Sequence, residues 1–251
     1  MNSKNKKFSL AIDGSTNILS VAILDKIKLV KVKNYNNFNQ FDEIDDYFIN
    51  INDFFNQEFE IDTLYVGCGP GSFTGLRKTI SFAQAYKFSN IQRSEQKFFS
   101  FGINSLATLA FCFTQKNPFS NTKFLLSLID TGCNDYFGQL YSTDKNKYNL
   151  PIMPLSKIKI LSIGDLNFFF NNYRIKKDEV AILGLSEIIA KKNSIDFNCL
   201  YDGYKFPSAD NLGKMGYIIK NTFFKLNNNF NEFDFFNYDL YPIYARAPKT
   251  I

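Results

Sequence analysis

The sequence predicts an α/β fold built from two strand-rich halves. A glycine-rich turn, Gly69-Pro70-Gly71-Ser72-Phe73-Thr74-Gly75-Leu76-Arg77, stands between an apolar run, Leu64 to Cys68, and a helical stretch from about Leu76 to Phe88. Three strand patterns open the chain, and two more flank Asp130-Thr131-Gly132-Cys133-Asn134-Asp135 in the second half. The hydrophobic fraction, 45 %, is that of a globular protein, and 251 residues suffice for one large domain or two modest ones.

Phe8 to Ile12 and Ser20 to Leu24 read as strands around the turn Asp13-Gly14-Ser15-Thr16-Asn17, and Lys28 to Lys33 alternates apolar and basic residues as a third strand. A helix follows from about Asn39 to Asn56. Its Phe41, Ile44, Phe48, Ile51 and Phe55 recur at spacings of three and four, the seam of a coiled coil. Tyr47 and Phe54 widen the apolar surface, and Asp42, Glu43, Asp45 and Asp46 favour the helix dipole in the first turns. That helix either packs only on its own sheet or offers a second stripe to another protein.

The glycine turn has two readings. Glycines permit positive φ, and Ser72 or Thr74 can cap the new helix. A helix start of this kind can hold an anion. The Walker spacing is absent, because Leu76-Arg77 follows Gly75 where a lysine and a hydroxyl are needed; Thr74 occupies the third glycine position of the dinucleotide fingerprint. A structural turn joining two elements is the commoner case.

Further along, Phe98 to Ile103 reads as a strand and Ser105 to Cys112 as a helix. Phe124 to Ile129 and Tyr136 to Tyr141 form strands around the Asp130 turn, and Val180 to Leu185 is another apolar run. Ser208 is the expected cap of a long last helix with Ala209, Leu212, Met215, Ile219 and Phe223 on its apolar face. Gly213 and Gly216 would let that helix approach its neighbours closely. Asn227-Asn228-Asn229 ends it.

The chain contains no histidine. That removes Ser-His-Asp and Cys-His sites and every histidine-bound metal. Acid–base chemistry would fall to carboxylates, Lys, Tyr or Cys. The cysteines at 68, 112, 133 and 199 form no Cys-x-x-Cys pair and read as buried, reduced thiols of a cytoplasmic protein, with disulfides as the less common alternative. The apolar run after the basic start stops at Asp13, too short for a signal peptide, and no stretch reaches the ~20 apolar residues that span a bilayer. A net charge of +5 is mild for a nucleic-acid binder, and no basic stripe interleaved with aromatics stands out.

The nine-residue glycine segment resembles the signature of the TsaB (YeaZ-type) family, dimerization subunits of the bacterial machinery that makes threonylcarbamoyladenosine in tRNA. Further matches come in the family's order: Ala11-Ile12-Asp13-Gly14-Ser15-Thr16, Gly102-Ile103-Asn104-Ser105-Leu106, Phe206-Pro207-Ser208-Ala209 and Tyr241-Pro242-Ile243-Tyr244-Ala245-Arg246. Gly14, Phe41, Ala83-Gln84-Ala85-Tyr86, Thr131-Gly132-Cys133-Asn134 and Ala245 depart from its pattern. The resemblance implies an actin-like ATPase (ASKHA, ribonuclease H-like) fold of two tandem subdomains. The expected division is 1–105, 106–205 and a C-terminal helix and tail, 206–251, that returns to the first subdomain.

It also implies a non-catalytic subunit that organises a paralogous, TsaD-like catalytic subunit, joined by a small TsaE-like ATPase, for threonylcarbamoylation of N6 of the adenosine next to the anticodon. The catalytic relatives hold a metal through a His-x-x-x-His pair that this chain cannot supply. The expected partner-binding residues are Phe41, Ile44, Phe48, Ile51, Phe55, Leu76, Arg77, Ile80 and Ala83. Arg77 would reach a carboxylate or phosphate there, or form a surface ion pair. Without the partner the chain would form a homodimer, and it would meet tRNA only through the complex. It would bind no cofactor alone, with ATP or ADP and metal belonging to the assembly. The alternative is a free-standing actin-like kinase or ATPase, with Asp13, Ser72 and Thr74 as phosphate contacts and Asp130-Thr131-Gly132 as the second loop.

Overall fold

A computed structural model describes residues 6–36, 54, 59–93, 97–117, 121–144, 151–185, 204–225, 236–237 and 240–245. The first half is a six-stranded sheet in the order β11-β5-β4-β1-β2-β3. Strands β1 (Lys7–Asp13), β2 (Leu19–Asp25) and β3 (Lys28–Tyr35) form an antiparallel meander. Strand β4 (Glu60–Gly67) runs parallel to β1, and β5 (Phe99–Ile103) runs parallel to β4. The two-residue β11 (Phe236–Asn237) closes the β5 edge.

The second sheet repeats this logic. Strands β6 (Phe124–Asp130) and β7 (Tyr136–Ser142) form an antiparallel hairpin. Strands β8 (Met153–Pro154) and β9 (Lys159–Leu161) line the far side of β7, and β10 (Val180–Leu183) runs parallel to β6. An antiparallel meander followed by a parallel strand on the other side of its first strand occurs twice. This is the actin-like, ribonuclease H-like arrangement that the family resemblance implies.

Burial follows the strand period. Leu10, Ile12, Val21, Ile23, Leu64 and Val66 face a core closed by helix α1 (Phe73–Arg93). Their neighbours Ala11, Ala22, Leu24, Tyr65 and Phe101 face the opposite core. There, helix α2 (Ser105–Lys116) and helix α4 (Ala209–Lys225) pack together, and α4 crosses β1 and β2. Helix α2 is buried on every side from Ser105 to Phe113, because Leu125, Ile129, Phe137 and Tyr141 of the second sheet share its core. The outer face of the second sheet is covered by α3 (Leu166–Asn172) through Leu166, Phe169 and Phe170. Continuous apolar runs such as Leu10-Ala11-Ile12 are what a strand covered on both faces needs.

The expected close approach of α4 occurs. A Cβ on Gly213 would overlap the Leu24 side chain, and one on Gly216 would overlap the Tyr65 ring. Three expectations change. Helix α1 begins at Phe73 and extends to Arg93, beyond the predicted ends. The Ser208 hydroxyl accepts from Asn211 Nδ2 at 2.8 Å, while Ala209 N–H donates to Ser20 Oγ at 2.8 Å; a strand residue distant in sequence thus takes the capping role. Cys68 and Cys112 are buried as expected, but Cys133 is exposed in the β6–β7 turn. Cys199 and the seam of Phe41, Ile44, Phe48, Ile51 and Phe55 lie outside the described residues.

Candidate functional site

Strand β1 ends at Asp13, and the chain must turn before β2. The carboxylate makes that turn: Oδ1 accepts from Ser15 N at 2.8 Å and from Ser15 Oγ at 2.6 Å. Its second oxygen accepts from Ser105 Oγ, the first residue of α2, at 2.8 Å. Asp13 is 1 % exposed, and burial raises its pKa against the opposing effect of the two serines. The Cys68 thiol nearby is pushed up to about 12, chiefly by burial and then by the Asp13 charge.

The glycine turn is bound to the same place. The peptide bond between Gly69 and Pro70 is cis, and Gly69 takes φ +94°. Ser72 N–H donates to the Ser15 carbonyl at 2.7 Å, and a Cβ on Gly71 would overlap that carbonyl. Ser105 N–H donates to the Gly69 carbonyl at 2.8 Å, and Ile243 N–H donates to the Cys68 carbonyl at 2.7 Å. One junction therefore ties together the end of β1, the starts of α1 and α2, and the C-terminal segment. Ser72 caps α1, its Oγ accepting from Gly75 N–H at 3.2 Å. Gly75 lies inside the first helical turn, so the tight positions are Gly69 and Gly71.

The three residues expected as phosphate contacts stand differently in the fold. Asp13 is turned inward onto two serines, Ser72 is occupied in starting the helix, and of the three candidate contacts only Thr74 is exposed. In the second half, Asp130 Oδ1 accepts from Gly132 N–H at 2.7 Å and Thr131 Oγ1 bonds Asp135 Oδ1, closing the hairpin on itself.

Helix α1 has two distinct faces. Leu76, Ile80 and Ala83, expected at a partner, are 1 %, 5 % and 0 % exposed. Ile80 and Ala83 belong to the core over β1 and β4, and Leu76 lies against Gly69. A side chain already out of water in its own chain has no surface to give a partner. The outward stripe is Thr74, Arg77, Ser81, Gln84, Phe88 and Ile91, all exposed and spaced three, four, three, four, three. That is the spacing of a helix–helix seam. Phe88 and Ile91 are 64 % and 53 % exposed. At the other end, the Arg77 guanidinium stacks on the Phe73 ring at 3.7 Å, and Tyr244 lies 5.7 Å from the same ring. Arg77 thus joins an aromatic cluster at the start of the helix.

Sequence reasoning missed this stripe because four of its six members are polar. A usable signal was present, since Phe73 to Arg93 holds four basic residues and no acidic one. Also missed was Asn104, whose Oδ1 caps α2 by accepting from Leu106 and Ala107 N–H at 2.9 and 3.3 Å. Its Nδ2 donates to Gln139 Oε1 at 2.8 Å, a buried polar link between the two halves.

No family model matches the sequence, and no curated protein matches it. Among solved structures, the chain is similar to YeaZ from Pseudomonas aeruginosa, with a TM-score of 0.64 at 16 % identity over 95 % of this chain and 99 % of that one. It is equally similar to an uncharacterized protein described as similar to peptidase YeaZ from Pseudomonas aeruginosa, with a TM-score of 0.64 at 17 % identity over 96 % and 100 % of the two chains. The YeaZ-type fold therefore extends over nearly the whole chain, as the sequence resemblance implies.

Proposed function

We propose that this chain is a non-catalytic subunit of the TsaB (YeaZ-type) family. In this reading it docks a paralogous, TsaD-like catalytic subunit and serves threonylcarbamoylation of N6 of the adenosine next to the anticodon in tRNA. The observation that carries the reading is the outward seam of α1, with Phe88 and Ile91 standing in water on a helix that holds no acidic residue. Such a face suits an apolar helix rich in carboxylates. The chain's own segment 39–56 has that composition, which supports pairing with a second copy when the catalytic subunit is absent.

Two further observations favour a scaffold. The carboxylate at the first turn serves the fold, with its oxygens held by Ser15 and Ser105. The absence of histidine leaves metal-bound chemistry to the paralogue. ATP or ADP, metal and the TsaE-like ATPase then belong to the assembly.

Size-exclusion chromatography with the catalytic subunit tests this. Phe88→Asp combined with Ile91→Asp should leave the monomer folded, since both side chains are largely exposed. Covering two such side chains contributes about 1.5–3 kcal/mol each, and buried carboxylates facing no cation add a further penalty. Association should weaken by about a hundredfold or more. A folded double variant that co-elutes as the wild type does would overturn the reading, and steady ATP turnover by the lone chain would speak for the kinase alternative.

A further inference from the structure

The C-terminal segment, residues 240–245, runs back to the start of helix α1. Leu240 is buried in the core beneath that helix, and Ile243 packs against the same core. Ile243 N–H also donates to the Cys68 carbonyl at 2.7 Å. The segment is thus pinned by its apolar residues and one backbone bond. Tyr244 follows immediately and is left outside: it is 46 % exposed, with its ring 5.7 Å from that of Phe73, itself 40 % exposed. A distant part of the chain therefore holds an aromatic ring in water beside the first turn of α1.

Phe73 and Arg77 stand four apart on that helix and so share a face. The exposed guanidinium lies over the Phe73 ring, 3.7 Å from its centroid. Stacking occupies the flat face of the guanidinium and leaves the N–H groups around its rim to donate. Among the described residues, no hydrogen bond or ion pair takes them up. The stack also holds the long side chain in place before any partner arrives, which lowers the entropy lost on docking. Its planar fork matches a carboxylate, and an anion at this end meets the positive end of the helix dipole. The two exposed rings beside Arg77 also need covering, which a small free anion does not do.

We infer that the C-terminal segment is a second element of the docking surface, with Tyr244 and Phe73 forming an aromatic platform that presents Arg77 to a carboxylate on a partner helix. The inference rests on the reading of α1 as the docking face and adds where the partner's charge lies. Fourteen residues separate Arg77 from Ile91 on α1, about 21 Å along a helix axis. The matching partner helix therefore runs for about four turns. It sets a carboxylate against Arg77 at one end and apolar side chains against Phe88 and Ile91 at the other.

Isothermal titration calorimetry of the full chain with the catalytic subunit tests the inference, with circular dichroism of each variant as the control for folding. Tyr244→Ala and Arg77→Ala remove exposed side chains, so both should stay folded and bind at least about tenfold more weakly. Should Tyr244→Ala prove unfolded, Tyr244→Gln replaces it with the same expectation. Arg77→Lys keeps the charge without the planar fork and should recover little of the loss. The combined Arg77→Ala, Tyr244→Ala chain should lose less than the product of the two single losses, because the residues act as one anchor. Wild-type affinity in both single variants overturns the inference, as does full recovery by Arg77→Lys. If the lone chain dimerises, and Tyr244→Ala abolishes that dimer but leaves the complex intact, the occupant is a second copy and the assignment falls. Weakened binding in the Phe88→Asp, Ile91→Asp chain, with Tyr244→Ala and Arg77→Ala binding normally, overturns this anchor and leaves the α1 docking reading standing. A wild-type chain that does not bind the catalytic subunit overturns both.

Discussion

Asp13 shows how one side chain can look like a ligand and act as a strut. Three donors converge on it from Ser15 and Ser105, and two of them are hydroxyls that lose their acceptor if it is removed. Asp13→Ala should therefore cost about 1–3 kcal/mol in urea unfolding. Its titration gives a sharper check. Burial raises the folded-state pKa, so the folded protein binds this proton more readily than the unfolded chain. The stabilising contribution is then complete below the unfolded value of about 3.9 and is lost as pH rises through the raised folded value. Asp13→Asn keeps the acceptor oxygen and removes the titration. The wild-type advantage in melting temperature over Asp13→Asn should shrink as pH rises above about 4; a difference independent of pH would remove Asp13 from this role.

At the scale of elements, α4 is held against the first sheet by what it lacks. Gly216 stands over the Tyr65 ring, and Tyr65 is fully buried. The helix axis is close because no Cβ intervenes. Gly216→Val should overpack this contact and lower stability by about 1–3 kcal/mol, read as a shift in the urea midpoint. An unshifted midpoint would mean that α4 can lift from the sheet without loss. The apolar period of this helix was legible in the sequence, as were its two glycines, because a helix against a twisted sheet needs both. Its cap was not, because Ser20 lies on β2, a neighbour only in the folded chain.

For the whole molecule, the central question is whether the two halves unfold together. Helix α2 buries Ser105 to Phe113 in a core shared by both sheets, and Asn104 bonds Gln139 across the halves. Separating the halves would expose this apolar helix to water and break that bond, which couples their stabilities. The thiols report this. Cys68 lies at the glycine turn and Cys112 on α2, both buried and both shifted upward, so neither reacts without opening. In a Cys133→Ser, Cys199→Ser chain, the two remaining thiols should react with a disulfide reagent at one shared rate, that of global unfolding. Faster reaction of Cys112 alone would show that the halves open independently.

Alternating and continuous apolar runs, glycines at tight turns and charged helix starts are local consequences of keeping backbone and side chains out of water. From them the sequence by itself determined the antiparallel openings of both halves, the glycine turn before α1 and the apolar face of α4. Short, weakly patterned pieces escaped: β8, β9 and α3 carry too few residues for a period to register. Periodicity reports which side chains must be covered but not what covers them. Leu76, Ile80 and Ala83 fit a partner's helix as well as their own sheet, and only the tertiary structure assigned them inward and left Arg77, Phe88 and Ile91 outside. Covering and placement are relations between residues distant in the chain, and folding creates them.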